Sequence, residues 1–311
     1  MEHTKIPADV PLNMHKEYAK NYYALTRGTS RLLLFAADHK IEHLDKDFFG
    51  PSIPLQAHDP EHIFRIASKG SIGALAIQLG LIAQYGKNYP DVNYIVKLNS
   101  KTNIIGTEYK DPFSRQLWQV EQIIGFKLSS QLSVCGIGLT VYVGSEYEDL
   151  MLAQAAQAVY KAHQHGLITI LWMYPRGKHV KDERDGALIA GATGIATSLG
   201  SDFVKINAPH ATHEQTSAEL LKRAVEAAGT TKVLCAGGET QPLGSLLHEI
   251  HEQLTIGGTA GAGIGRNIYQ QPLNQAIALT NALSSLIYDK ADLTTALRMI
   301  KDHSATSHTS L

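Results

Sequence analysis

Lys205 stands inside an apolar run, "GSDFVKINAP", flanked by Phe203, Val204 and Ile206. A lysine inside a strand is costly unless it is paired or discharged. An exposed amine with a pKa near 10.4 is neutral in only about 0.04% of molecules at pH 7. Burial and a nearby cation move that pKa toward about 7–8 and raise the free amine several hundredfold. Such an amine can attack a ketone to form a Schiff base, and the protonated imine then serves as an electron sink for carbon–carbon cleavage. The bland reading is a lysine paired with a core carboxylate. Lys97, in "YIVKLNS", also lies near a strand end. It is either the competing nucleophile or the second cation that depresses Lys205.

"LWMYPRGKH" adds three groups. Trp172 and Tyr174 are two apart in an extended run and so face one side. If that side is interior, Tyr174 is placed as general acid/base beside the imine and Trp172 walls the pocket. A phenol with a pKa near 10 needs adjacent positive charge to act as a base. The alternative is that both fill core layers. Arg176, just past the strand, either meets an anionic substrate or caps the rim.

His39-Lys40-Ile41-Glu42-His43 reads as H-x-x-E-H, a pattern of some zinc peptidases. That site needs both histidines on one helical face, whereas here the string directly follows the strand-like "LLLFAAD". We therefore place His39 and His43 in a loop and assign no metal. Asp38 then ends the strand and points into the mouth, to hold substrate hydroxyls with His39 orienting it. The plainer reading has His39 and Glu42 hydrogen-bonding loop backbone.

Two glycine clusters close the series, "CAGGET" and "GTAGAGIGRN". In α/β barrels the loops after the last two strands commonly cradle a phosphate, since glycine lets backbone N–H groups approach its oxygens. Gly237, Gly238, Gly265 and Arg266 are the candidates. A dinucleotide fingerprint is the weaker reading, because no complete Rossmann unit follows.

The elements that must position these residues are eight short, nearly continuous apolar runs: 31–38, 74–80, 93–99, 136–144, 167–175, 202–207, 231–238 and 259–266. Such runs suit strands covered on both faces. Amphipathic segments at 146–166, 213–229 and 274–289 carry helical spacing and end signals. The alternation predicts a single (β/α)8 barrel over 31–290, with a doubly wound open sheet as the alternative. Residues 1–30 form an N-terminal extension, whose "MHKEYAKNYYALTRG" is expected to be a helix covering the barrel bottom or a subunit contact. The stretch 101–120 reads as an insertion after the third strand. Residues 291–311 read as a C-terminal helix and polar tail, with "HSATSHTSL" frayed.

Composition narrows the class. A net charge of −1 gives no reason to expect nucleic acid or an anionic membrane as partner. No apolar run approaches the roughly 18 residues of a membrane span, and the N-terminus carries no signal pattern. Cys135 and Cys235 are too few for a disulfide framework and sit in apolar runs, so both read as packing residues. The expectation is a soluble, cytoplasmic protein.

Taken in order, "DHKIEH", "VKLNSKTN", "LTVYVGSEYE", "LWMYPRGK", "SDFVKIN", "AGG" and "GIGRNIYQQP" resemble the motifs of the archaeal-type class I fructose-bisphosphate aldolases, within the barrel superfamily of deoxyribose-phosphate aldolase. The resemblance spans about residues 31–288. It implies that Lys205 forms the Schiff base, that Tyr174 is the acid/base, and that Trp172 and Asp38 line the pocket. It also implies that Gly237, Gly238, Gly265 and Arg266 hold the phosphate of a phosphorylated ketose. The reaction implied is reversible aldol cleavage to dihydroxyacetone phosphate and an aldehyde, fructose 1,6-bisphosphate being the favoured substrate. It needs neither metal nor cofactor, and a homo-oligomer with a place in glycolysis or gluconeogenesis is implied with it. The chain departs from the family pattern in three places. Lys40 replaces a glycine, Leu44-Asp45 replaces Gly-Pro, and Glu239-Thr240 stands where a lysine usually follows the glycine pair. Lys40 is the candidate to replace that missing cation. The alternatives are a related Schiff-base transaldol synthase or acyl-transferring barrel, a catalytically silent sugar-phosphate binder, and a metal-dependent aldolase.

Overall fold

Each of the eight apolar runs forms a strand, and the strands hydrogen-bond side by side in chain order until the eighth pairs with the first. The computed structural model describes residues 5–307. The strands are β1 (Leu32–Ala36), β2 (Ala74–Gln78), β3 (Tyr94–Lys97), β4 (Val134–Val143), β5 (Ile168–Pro175), β6 (Phe203–Ile206), β7 (Lys232–Ala236) and β8 (Gly261–Ile264). Every neighbouring pair is parallel. The architecture is a closed (β/α)8 barrel, not an open sheet. The strands are a little shorter than most of the apolar runs, because the last residues of a run turn into the mouth.

Two apolar layers hold the barrel. One lies inside it and contains Leu34, Ile95, Ile170, Trp172, Phe203 and Leu234. The other lies between strands and helices and contains Phe35, Val96, Leu171, Met173, Val204 and Cys235. Neighbouring residues of one strand fall in different layers, which is the two-residue alternation of a strand. That alternation positions the chemistry. Lys97 is two beyond Ile95, Tyr174 two beyond Trp172, Lys205 two beyond Phe203, and Asp38 four beyond Leu34. Each therefore continues an inward-facing row and emerges at the strands' C-terminal end. Cys135 and Cys235 are buried and unbridged.

The helix His15–Thr26 closes the opposite end, with Tyr18 and Leu25 joining the interior layer. Asn21 Nδ2 donates to Gly166 O over 2.8 Å. Tyr18 donates its hydroxyl to Asp202, just ahead of β6. His163, fully buried, lies between Asp202 Oδ2 at 3.1 Å and Asp9 Oδ2 at 2.8 Å. The helix therefore covers the barrel bottom.

The predicted helices appear as Glu148–Gln164, Ser217–Ala228 and Leu273–Ile287. The second starts four residues later than its pattern suggested. Thr216 caps it, Thr216 Oγ1 accepting from Glu219 N at 3.2 Å while the Glu219 carboxylate accepts from Thr216 N at 2.8 Å. The insertion after β3 carries one short antiparallel pairing, Asn99–Ser100 with Arg115–Gln116. Its Asp111 accepts from Glu146 N at 3.0 Å and Lys178 N at 2.6 Å, tying it to the loops after β4 and β5. The final helix, Leu293–Ser307, takes in the first residues of the expected frayed tail. Residues 308–311 of that tail lie outside the described residues.

Candidate active site

The mouth at the C-terminal end of the strands holds a cavity of about 120 Å³, and Lys205, Tyr174 and Trp172 line it. Lys205 is 4% exposed and donates from Nζ to Tyr174 Oη over 2.7 Å. β5 and β6 set this contact by pairing Trp172 with Lys205, so that Tyr174 rises one inward position higher. β8 supplies the space. A Cβ on Gly263 would stand 2.6 Å from Lys205 Cε and 2.7 Å from Cδ, so glycine leaves the channel through which the lysine reaches the mouth.

Burial pulls the Lys205 amine down to about 8. Asp38 and Glu42 oppose this and Arg266 adds to it. The second cation expected from the sequence is thus Arg266 and not Lys97. The reason is pairing. Lys97 Nζ lies 3.2 Å from Asp38 Oδ2 and donates to Thr140 Oγ1 over 2.7 Å. Lys97 is 1% exposed and sits behind Asp38, outside the cavity wall. Its ammonium also lies 5.0 Å from the centre of the Trp172 ring. Lys97 overrides the burial of Asp38 and keeps that carboxyl well below the usual range.

Tyr174 moves the other way. Burial, with Asp38 and Glu42 nearby, holds its phenol well above 10. In the resting site Tyr174 is a proton donor and not a phenolate. Trp172 shares the inner wall, and its Nε1–H is buried without a partner.

The loop expected for His39 and His43 is a helical turn, His39–Glu42, following Asp38. The two imidazoles consequently share a face, with ring centroids 4.9 Å apart. His43 Nδ1 pairs with Asp47 Oδ2 at 2.7 Å. Burial lowers His39 to about 4, and its Nδ1 is buried without a partner. No hydrogen bond joins His39 to the Asp38 carboxylate, so Lys97, not His39, orients Asp38. Among the described residues no three His, Cys, Asp or Glu side chains are grouped as a metal's ligand set.

At the end expected to cradle a phosphate, Gly237, Gly238, Gly265 and Arg266 all border the cavity. Arg266 Nη2 donates to Gly238 O over 3.0 Å. Gly238 has φ +66°, in the left-handed region that glycine enters without strain. Lys40 does not supply a cation here. Its ammonium lies 4.0 Å over the Phe48 ring, away from the cavity wall. Leu44, where the family pattern has glycine, keeps a left-handed φ of +57°. At the opposite rim Arg176 is held by a bidentate pair with Glu183, both contacts 2.7 Å.

Ten of the eleven residues picked from the sequence therefore border one cavity, with Lys97 immediately behind it. Sequence reasoning missed Glu42, Thr140, Tyr142 and Asn267. Glu42 Oε1 accepts from Tyr142 Oη at 2.5 Å and lies 3.7 Å from Lys101 Nζ. Thr140 and Tyr142 pair in register with Trp172 and Tyr174, so the alternation along β4 marked them as inward. Asn267 Nδ2 donates to Gly237 O at 2.9 Å and Glu239 O at 3.0 Å, which shapes the glycine loop. Nothing in its local sequence signals that role.

The description of a DeoC/LacD family aldolase matches residues 32–271. A Methanocaldococcus jannaschii protein named fructose-bisphosphate aldolase/6-deoxy-5-ketofructose 1-phosphate synthase is 49% identical over 295 residues, covering 95% of this chain and 94% of that one. The solved fructose-bisphosphate aldolase from Slackia heliotrinireducens superposes with a TM-score of 0.95 at 48% identity, covering 97% and 95% of the two chains. An archaeal fructose-1,6-bisphosphate aldolase, solved with its catalytic lysine covalently bound to the carbinolamine intermediate of the substrate, gives 0.73 at 28% identity, covering 87% and 99%.

Proposed function

The chain belongs to the DeoC/LacD family of aldolases, and from that premise we propose that it is a Schiff-base, class I aldolase that cleaves fructose 1,6-bisphosphate reversibly. The observation that carries the proposal is a buried amine, lowered to about 8, held 2.7 Å from a phenol. At pH 7 about one such amine in ten is neutral, against a few in ten thousand for an exposed lysine.

Lys205 attacks the ketose carbonyl to give a carbinolamine. Tyr174 protonates its hydroxyl, which leaves as water, and the iminium cation then stabilises the resulting phenolate. That phenolate takes the proton from the hydroxyl of the next carbon but one as the carbon–carbon bond breaks. The bonding pair moves into the iminium to form the enamine, and glyceraldehyde 3-phosphate departs. Protonation of the enamine and hydrolysis release dihydroxyacetone phosphate and restore Lys205. Arg266 and the N–H groups around Gly237, Gly238 and Gly265 hold the phosphate next to the ketone. Asp38, fixed by Lys97, accepts from a substrate hydroxyl, and Trp172 and His39 close the wall. Arg176 exchanges Glu183 for the distal phosphate. The resemblance of the motifs further supports a cytoplasmic homo-oligomer acting in hexose phosphate metabolism.

A second reading rests on the Methanocaldococcus jannaschii relative, whose name adds 6-deoxy-5-ketofructose 1-phosphate synthase activity. The same enamine would then meet a different acceptor aldehyde, and an acceptor panel separates the two. The primary test is borohydride reduction with dihydroxyacetone phosphate, followed by peptide mapping. A stable adduct on Lys205 is expected. An adduct on Lys97 would move the nucleophile, and no adduct at all would end the Schiff-base reading.

A further inference from the structure

A roomier cavity, about 750 Å³, lies at the opposite end of the barrel from the mouth. One wall is the N-terminal helix, with Tyr18, Tyr22 and Tyr23. The other is the approach to β6 and β7, with Asp202 and Lys232, and Lys5 closes one side. Volumes of about 300–1,000 Å³ are typical of small-molecule sites.

Its charge is one-sided. Asp202 is already satisfied, since Tyr18, His163 and Thr169 all bond its carboxylate. Lys20 has only a 3.9 Å approach to Glu17. Lys5 and Lys232 form no ion pair with a carboxylate of the described residues. The cavity thus presents unneutralised ammonium groups above an aromatic wall, and Tyr22 is braced there by stacking on Phe203 at 5.8 Å. Lysine stems and tyrosine faces suit a flat apolar body, while the ammonium groups suit an anionic substituent.

We propose that this cavity is a second binding site, for a small planar organic anion, that bridges the N-terminal helix and the barrel bottom. Phe203 pairs in register with Lys232, and Lys205 stands two residues along the same strand as Phe203. Asp202, just ahead of β6, borders this cavity and Lys205, within β6, borders the mouth, so the two sites open at opposite ends and occupants of each should not exclude one another.

The test uses the full chain and 8-anilinonaphthalene-1-sulfonate, an anionic planar probe whose fluorescence rises on burial. A saturable rise with one site per chain is expected, undiminished by saturating dihydroxyacetone phosphate. K232M and Y22L should each weaken binding by about tenfold, the loss of one partly buried charge or ring contact. Both variants should keep the circular dichroism spectrum and aldol cleavage of the parent. N-phenyl-1-naphthylamine, the uncharged counterpart, should bind correspondingly more weakly. Displacement by dihydroxyacetone phosphate would put the probe in the mouth and overturn the proposal. So would unchanged affinity in K232M and Y22L, or no saturable binding because assembly covers the cavity.

Discussion

Lys97 and Asp38 form a buried ion pair, 3.2 Å apart, and Asp38 lines the same cavity as the amine of Lys205. Lys97 neutralises the carboxylate that would otherwise hold a proton on Lys205, and burial can then discharge Lys205. K97M should therefore act through pH. The alkaline rise in kcat/KM, which follows the neutral fraction of Lys205, should run through about 8 in the parent. In K97M the unneutralised Asp38 should move it up by roughly one unit. Initial rates across pH 6–10 measure this, and an unshifted limb would deny the pairing any role in tuning the amine.

Tyr174 is expected to work as an acid first. Y174F keeps the ring and removes the proton, so kcat should fall by about 10²–10⁴-fold, the usual range for general acid–base groups. Borohydride trapping on Lys205 should persist, only more slowly. A Y174F enzyme of full activity would transfer the role elsewhere.

Gly263 is a test of space alone. In G263A the new methyl meets the Lys205 stem at 2.6 Å and should push Nζ away from Tyr174. Misplacement on this scale costs on the order of 10²-fold in kcat. Circular dichroism should show the fold intact while trapping on Lys205 falls in step with turnover.

Far from the mouth, His163 should govern pH-dependent stability. Its two carboxylates outweigh burial and raise it from 6.5 to about 9 in the folded chain. The folded pKa lies above the unfolded one, so the stabilisation is fully present below about 6.5. It is lost as pH rises through about 9. The amount at stake is on the order of 3 kcal/mol. Thermal melts of the parent should decline across that window, and H163Q should melt lower at pH 6 with a flatter profile. A decline of equal size in H163Q would place its origin elsewhere.

The sequence by itself determined the barrel and picked out residues that line one cavity at its mouth. Eight apolar runs with no polar face can be strands only if both faces are covered. A lysine two residues past Phe203 continues the inward row wherever that strand ends. These are local facts, fixed by side-chain type and a two-residue period. Only the tertiary structure decided which charges meet. Lys97 pairs with Asp38 across β3 and β1, Arg266 rather than Lys97 helps discharge Lys205, and Arg176 is bound to Glu183. Lys40, a plausible phosphate cation on paper, points over Phe48 instead. Coulomb energies depend on distance and burial between groups remote in the chain, and neither is encoded in spacing along one strand. The His39–His43 turn shows the same division from the other side. A strand's apolar run says where it stops, but the surrounding contacts decide whether the next residues coil or close a helical turn.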